Sequence, residues 1–245
     1  MIELNKIYNE DCLEGMKRIP DKSVDMILCD LPYGTTACKW DTIIPFEPLW
    51  EQYKRVIKDN GAIVLFGSEP FSSNLRMSNI VGYKYDWVWD KRIPSGMSYA
   101  RFQPMRRTEN VMVFTRDGKK TIYYPQLELR DKPIKKGGNK YSPSAPIRAS
   151  KDGKEYKKTY THKQPTNLLM FDKVRMGSIH PTQKPVALFE YLIRTYTNEN
   201  ETVLDNCMGS GTTAIACINT NRNFIGFELD ETYFNLANER ISNHK

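Results

Sequence analysis

"VLDNCMGSGTTA", residues 203–214, sets Gly209, Gly211 and Ala214 in G-x-G-x-x-A spacing between a short apolar run and a helix-forming one. Glycine reaches backbone angles that side chains forbid and lets a ligand approach the main chain. A strand that ends in such a turn and enters a helix is the nucleotide-binding corner of a doubly wound α/β sheet. Glu228 closes the next apolar run, "NFIGFEL" (223–229), where a carboxylate can take both hydroxyls of a ribose. No lysine follows the glycines, so the nucleoside triphosphate loop is excluded. Thr212 and Thr213 stand where they can help cap the helix.

Working outward, the same alternation of strand and helix continues. "PVALFEYLIRTYT" (185–197) has a Leu188, Leu192, Ile193 face behind an initiating proline, and "DETYFNLANERI" (230–241) spaces Phe234, Ala237 and Ile241 three and four apart. Upstream, "SVDMILCD" (23–30) and "GAIVLFG" (61–67) read as buried parallel strands around a helix over 46–57 that presents Leu49, Tyr53, Val56 and Ile57. "YKYDWVWD" (83–90), with Tyr83, Tyr85, Trp87 and Trp89 on one side, and "NVMVFTR" (110–116) add two more. The reading is a Rossmann-like α/β fold with a mostly parallel central sheet.

Composition sets bounds on function. The 245 residues are 40% hydrophobic and 27% charged, as in an ordinary globule, with no apolar run of membrane-spanning length. The opening "MIELNK" lacks the order of a signal peptide, which points to the cytoplasm and to no membrane partner. Five scattered cysteines and three scattered histidines give neither disulfide density nor metal-ligand spacing, so no metal is expected. The net charge of +7 is uneven: residues 116–175 carry 16 Lys or Arg against 6 Asp or Glu. That segment, interleaved with Tyr123, Tyr124, Tyr141, Tyr156 and Tyr160, suits a polyanion, with Lys135 and Lys136 among its candidate contacts.

The strand at 23–30 ends in Asp30-Leu31-Pro32-Tyr33. Ligands of an open parallel sheet bind outside the carboxyl ends of its strands, so this turn and the glycine turn can share one site. Asp205, beside the glycines, fits a cationic or amino-acid-bearing ligand better than a pyrophosphate. That comparison points toward an adenosyl ligand without phosphates, with a dinucleotide as the alternative, and S-adenosylmethionine meets the description. Asp30 and the Leu31 carbonyl can both accept from an exocyclic amine, freeing its lone pair for in-line attack on a sulfonium methyl. Tyr33 can stack on a flat base.

"DLPY" resembles the D-P-P-Y motif of DNA adenine amino-methyltransferases. "LDNCMGSGTTAIA" is similar to their cofactor motif, "HPTQKP" (180–185) to the segment preceding it in the beta-type order, and "NEDCLEGMKRIPDKSVDMILCD" to the family's opening. The four motifs span nearly the whole chain. By this resemblance Asp205, Gly209, Ser210, Gly211 and Thr212 line the cofactor pocket, Asp11 meets the cofactor adenine and Glu228 its ribose, and Lys184 and Thr182 approach its methionine portion. It also implies a circularly permuted core, residues 1–116 and 173–245, interrupted by a target-recognition insert at 117–172. The substrate would be adenine in double-stranded DNA, flipped out of the helix because a stacked base is out of reach. Tyr99 or Phe102 would close the far side of that base, while Lys91, Arg92, Arg101, Arg106 and Arg107 would meet phosphates. The family often acts in pairs and beside a cognate restriction endonuclease, making a second copy of the chain and such a nuclease candidate partners. Leu31 departs from the pattern's first proline. Cytosine amino-methyltransferases of similar layout usually carry Ser where this chain has Asp30, and they are the nearest alternative. A noncatalytic DNA-binding module would explain the charge but leave both turns idle.

Overall fold

The computed structural model describes residues 2–35, 38, 41–138, 156–174 and 183–244, with backbone alone at 136–138 and 156–158. They divide into two units, Met1–Tyr124 with Asn167–Lys245, and Pro125–Thr166. Asp117–Tyr124 and Asn167–Asp172, which the sequence reading placed in the insert, thus belong to the larger unit.

That unit is organised by an eight-stranded sheet. In chain order the strands are β1 (Lys6–Tyr8), β2 (Val24–Cys29), β3 (Ile57–Gly67), β4 (Tyr83–Ser95), β5 (Arg106–Phe114), β8 (Leu168–Met170), β9 (Thr202–Asp205) and β10 (Asn223–Phe227). Their spatial order is β1-β10-β9-β2-β3-β5-β4-β8, and β5 alone runs against the rest. Period-two alternation distributes the apolar residues to two faces. Met26 and Leu28, Val64 and Phe66, and Val111 and Val113 fall in one cluster; Ile27 and Cys29, Ile63 and Leu65, and Met112 and Phe114 fall in the other. Both faces are therefore covered, as a mainly parallel sheet requires.

The first face carries α4 (Val186–Tyr196), α5 (Thr212–Asn219) and α6 (Glu231–Ser242). The α4 periodicity holds: Leu188, Phe189, Leu192 and Ile193 are buried, with the Phe189 ring stacked on Phe66 of β3 at 5.2 Å between centroids. The predicted α6 face is also found, Ala237 fully buried with Phe234 and Ile241 packed beside it, and Asp230 caps the helix by accepting from the Thr232 and Tyr233 N–H groups. The second face carries α1 (Cys12–Met16), α2 (Phe46–Val56) and α3 (Phe71–Ser78). In α2 the buried stripe is Leu49, Trp50, Tyr53 and Val56, while Ile57 begins β3.

Strand β4 departs from simple alternation. An irregularity between Tyr83 and Tyr85 breaks the register, so Tyr83 packs on Phe114 in the second cluster while Trp87 and Trp89 lie in the first. One extra residue is enough to exchange faces. The four aromatics therefore do not share one side. Tyr85 and Trp87 instead meet the buried Tyr196 hydroxyl at the end of α4, at 2.9 and 2.7 Å.

The described residues of the smaller unit include a two-stranded antiparallel ribbon, β6 (Glu128–Gly138) with β7 (Tyr156–Lys163). Its register places Lys135 opposite Thr159 and Lys136 opposite Lys158, so basic residues accumulate along the paired strands.

The α4 contact with the sheet should carry a large part of the core's stability. Phe189→Ala, which empties a site only 2% exposed, is expected to cost about 3–5 kcal/mol, measured as a lower midpoint of urea unfolding; a loss under about 1 kcal/mol would show that the Phe66–Phe189 stack is not a principal contact.

Candidate active site

Strand order determines which groups meet. Along the carboxyl edge, Asp11 follows β1, Glu228 follows β10, the glycine turn follows β9 and Asp30 follows β2. Adjacent strands are about 4.8 Å apart, so the row from β1 to β2 covers roughly 14 Å, the scale of an extended nucleoside with an amino-acid tail. Because β5 is reversed, its beginning rather than its end lies at this edge. Glu109 therefore arrives at the same place, paired in register with Trp89 of β4.

The glycine turn is held from several directions. Gly209 and Gly211 both have positive φ, 52° and 75°, and a Cβ on Gly211 would come within 3.2 Å of Ala237 Cβ in α6. Glu228 accepts the Gly209 N–H through Oε2 at 2.7 Å and the Asp230 N–H through Oε1 at 2.9 Å, and burial raises its pKa. The Leu229 N–H adds a further interaction, and the roughly four acceptor sites of a carboxylate leave room for a hydroxyl donor. Asp205 is turned inward: its carboxylate accepts from the Cys207 N–H at 3.0 Å and from the Thr213 hydroxyl. Thr213 therefore braces Asp205 rather than capping α5, whose N-cap position is Gly211 without a side-chain bond. Tyr53 of α2 donates to Asn206, and Arg240 of α6 donates to the Ser210 carbonyl at 2.9 Å. Ser210 and Thr212 are buried beside the turn, and Asp11 caps α1 through one carboxylate oxygen, bonded to the Leu13 and Glu14 N–H groups. This donor and acceptor set, uncharged at the turn and acidic at Glu228 and Asp11, fits an adenosyl group without phosphates.

At the neighbouring corner Leu31 is 4% exposed and packs into the second cluster, where an apolar side chain is what the site demands. Tyr33 lies against Phe71 of α3, rings 5.0 Å apart and 25° from parallel, and its hydroxyl donates to Asp30 Oδ1 at 2.7 Å. Gly34 follows with φ 66°, and Asp41 fastens the turn by accepting the Gly34 and Thr35 N–H groups, each at 2.9 Å.

Lys184, which the resemblance places near the cofactor's methionine portion, also contacts two carboxylates. Its Nζ lies 2.5 Å from Asp30 Oδ2 and 3.5 Å from Glu109 Oε2. Lys91 joins from β4, 3.0 Å from Glu109 Oε1. With a side chain only 7% exposed, Lys91 belongs to this buried chain of alternating charge and is not presented to phosphates, contrary to the sequence reading. Burial raises the Asp30 pKa, and Glu109 adds to the effect while Lys184 and Tyr33 oppose it. For Glu109 burial is outweighed by Lys184 and Lys91, which hold it below the ordinary carboxylate range. Burial likewise opposes charge on Lys184, but Asp30 and Glu109 overcome it and raise its pKa.

The remaining sequence candidates divide by exposure. Tyr99 and Phe102 project from the connection between β4 and β5, 62% and 85% exposed, alongside exposed Arg101 and Arg106. Arg107 makes a two-pronged contact with Asp90 at 2.7 and 2.8 Å, and Arg92 lies 3.6 Å from Asp172. Lys135 is exposed in the smaller unit, whereas Thr182 and the side chain of Lys136 lie outside the described residues. Among the described residues there is no group of three or more side chains able to hold a metal and no helix long and apolar enough to cross a membrane. Sequence reasoning missed Glu109, Asp41 and Phe71. Only Glu109 left a signal, a lone acid at the mouth of the apolar run "ENVMVF".

Two adjacent corners, the glycine turn after β9 and the acidic turn after β2, are what a group-transfer enzyme needs if donor and acceptor are to meet across neighbouring strands. The class is that of the S-adenosylmethionine-dependent methyltransferases. More narrowly, a family model described as DNA methylase, covering transfer to N6 or N4, matches residues 24–239, and the chain belongs to that family. It is 28% identical to the type II methyltransferase M1.MboII of Moraxella bovis over 97% of this chain and 96% of that one. It is 25% identical to M2.DpnII of Streptococcus pneumoniae, over 96% and 88% respectively. Among solved structures, the M1.HpyAVI complex with S-adenosylmethionine superposes with a TM-score of 0.64 at 28% identity, covering 96% of this chain and 98% of that one. The cytosine-N4-specific PvuII methyltransferase shares the fold at 16% identity, with the same TM-score of 0.64 over 96% and 85% of the two chains.

The inward-turned Asp205 provides a test of the glycine turn. Burial lifts its pKa from 3.8 to about 6. A raised carboxylate pKa favours folding while the group is protonated, and that advantage disappears as pH rises through the folded value. In urea unfolding without cofactor, the stability of the wild type relative to Asp205→Asn should therefore fall by about 1 kcal/mol between pH 5 and 7.5. A difference that is flat or of opposite sign would place the carboxylate in a solvated setting.

Proposed function

We propose that this protein transfers the methyl group of S-adenosylmethionine to the N6 amine of adenine in double-stranded DNA, with the target base flipped out of the helix. The observation that carries the reading is the position of Asp30: a part-buried carboxylate at the end of β2, one strand from the glycine turn, with Tyr33 fixed beside it.

Bound along the β1 to β2 edge, the cofactor supplies an electrophilic methyl on a sulfonium. Asp30 and the Leu31 carbonyl would accept the two N–H bonds of the adenine amine, weakening conjugation of its lone pair with the ring and aiming it in line with the sulfur–methyl bond. Transfer would form the nitrogen–carbon bond at the expense of the sulfur–methyl bond, and Asp30 would take up the surplus amine proton. Tyr33, backed by Phe71 and with the Lys184 ammonium 5.9 Å from its ring centre, would stack on the base, and Tyr99 or Phe102 would cover the opposite face. Asp11 would take the cofactor's adenine, Glu228 its ribose, and Gly209, Ser210, Gly211 and Thr212 its sulfonium-bearing tail. Asp205 serves this pocket by keeping the turn closed.

Exposed Arg101 and Arg106 support a phosphate-tracking role for the β4 to β5 connection, and the basic ribbon around β6 and β7 supports target recognition within 117–172. The type II relatives support a place beside a restriction nuclease. The choice of adenine rests on Asp30 where N4-specific enzymes usually carry Ser; the overall fold is common to both.

Methylation of a sequence-diverse duplex library with labelled S-adenosylmethionine, followed by identification of the modified base, is expected to yield N6-methyladenine in a defined context. N4-methylcytosine would overturn the adenine assignment. Asp30→Ala should lower the single-turnover rate at least about 1,000-fold while leaving cofactor affinity within about threefold; retention of rapid transfer would remove Asp30 from the chemistry.

A further inference from the structure

The Asp30 carboxylate is already engaged before any base arrives. Oδ1 accepts from the Tyr33 hydroxyl and Oδ2 from Lys184, so an incoming amine must compete with an ammonium 2.5 Å away. Lys184 cannot withdraw into an apolar wall, because a buried charge without a partner costs several kcal/mol. Its side chain is 7% exposed and rests over the Phe66 ring at 5.4 Å. The other carboxylate within reach is Glu109. Oε1 of that residue is taken by Lys91, while buried Oε2 has no hydrogen bond and faces Lys184 at 3.5 Å.

From this geometry we infer that Glu109 is a positioning residue for methyl transfer, the second seat to which Lys184 shifts when the target amine takes Asp30. The inference rests on the role of Asp30 proposed above. A displacement of about 1 Å exchanges a close contact with Asp30 for one with Glu109, and at no point does the ammonium lose a counter-charge. Lys184 stays close to Asp30 through the exchange and continues to oppose its protonation while the amine donates. Lys91 has its own part: pairing with Oε1 keeps Glu109 charged and fixes its rotamer, so that Oε2 stays aimed at Lys184. No covalent step is involved. The reversal of β5 makes the arrangement possible, since it delivers an acid near the start of that strand to the carboxyl edge of all the others.

Removing Glu109 has two separable consequences. Lys184 would be held by Asp30 alone, so the amine would displace it less readily and transfer would slow. The titration of Asp30 would also move. The charged and titratable groups around it are Lys184 ahead of α4, Glu109 of β5 with Lys91 of β4 behind it, Tyr33 on its own turn, and Cys29 and Asp205 at the ends of β2 and β9. Among these Glu109 works to protonate Asp30, so its neutralisation favours the carboxylate and shifts the acid limb of the rate profile to lower pH.

The experiment uses the full-length protein, tritiated S-adenosylmethionine and unmethylated plasmid DNA, with single-turnover rates recorded from pH 5.5 to 8.5 for wild type, Glu109→Gln, Glu109→Asp and Asp30→Ala. Glu109→Gln is expected to bind the cofactor within about twofold of wild type, to transfer methyl about tenfold or more slowly at pH 7.5, and to show its acid limb at lower pH. Glu109→Asp, which keeps the charge but draws it back, should fall between the two. A rate and pH profile for Glu109→Gln equal to wild type, with Asp30→Ala inactive, would overturn the inference and leave the role of Asp30 standing. Activity in Asp30→Ala would instead reject the reading on which it rests. Should Glu109→Gln fail to fold, Glu109→Asp decides: a rate several-fold below wild type supports the exchange, and an unchanged one refutes it.

Discussion

The constraint on which this molecule turns is the cost of holding the Asp30 carboxylate out of water at the end of β2. Burial alone would drive it toward the neutral acid, and a neutral acid is a poor acceptor for an amine. A single lysine would restore the charge but also monopolise the oxygens. The protein uses four groups, two carboxylates and two ammonium ions, in a chain from Asp30 through Lys184 and Glu109 to Lys91. Their charges cancel, and every one of them lies at the carboxyl edge of the same sheet. In this arrangement the ammonium of Lys184 lies within reach of two carboxylates, Asp30 and Glu109.

Topology supplies these groups without requiring them to be near in sequence. Parallel strands bring the turns after β1, β10, β9 and β2 to one edge, in the order that the proposed binding of a nucleoside, its tail and the acceptor would require. One reversed strand adds Glu109, which a wholly parallel sheet would have sent to the opposite edge. The two helical layers then fix the corners: α2 reaches the glycine turn through Tyr53, α6 through Arg240 and Ala237, and α3 supports Tyr33 through Phe71. A rigid frame of this kind holds donor and acceptor at reacting distance better than loops alone could.

The features legible in the sequence are those with local causes. The glycine turn, the strand ending in Asp30 and the faces of α4 and α6 follow from spacing and backbone preference, and the structure places each where the pattern puts it. What spacing could not supply was pairing. Lys91 reads as one more cation in a basic stretch because its acid, Glu109, is 18 residues away across the β4–β5 hairpin. Asp205 reads as a ligand group, since no pattern reveals that Thr213 and the Cys207 N–H already occupy it. In β4 the unbroken alternation of Tyr83, Tyr85, Trp87 and Trp89 conceals an irregularity that only the neighbouring strand makes visible. Each difference arises from a contact between strands or across a turn, where tertiary partners override local pattern.

Leu31 brings these strands of argument together. Judged by sequence pattern it is the one irregular member of the Asp30 to Tyr33 turn; judged by its surroundings it is a core residue, 4% exposed among the side chains that support α2 and α3. Its side chain and its carbonyl therefore answer to different demands. The side chain needs only to be apolar and to fill its space, which leucine does, while the carbonyl is positioned by the backbone between Asp30 and Pro32. Pro32 restricts its predecessor to extended geometry whatever that residue is. The turn can thus exchange a proline for a leucine on the core side without altering the backbone it presents, and in the proposed reaction it is that backbone and Asp30, rather than the side chain that departs from the pattern, that would meet the amine.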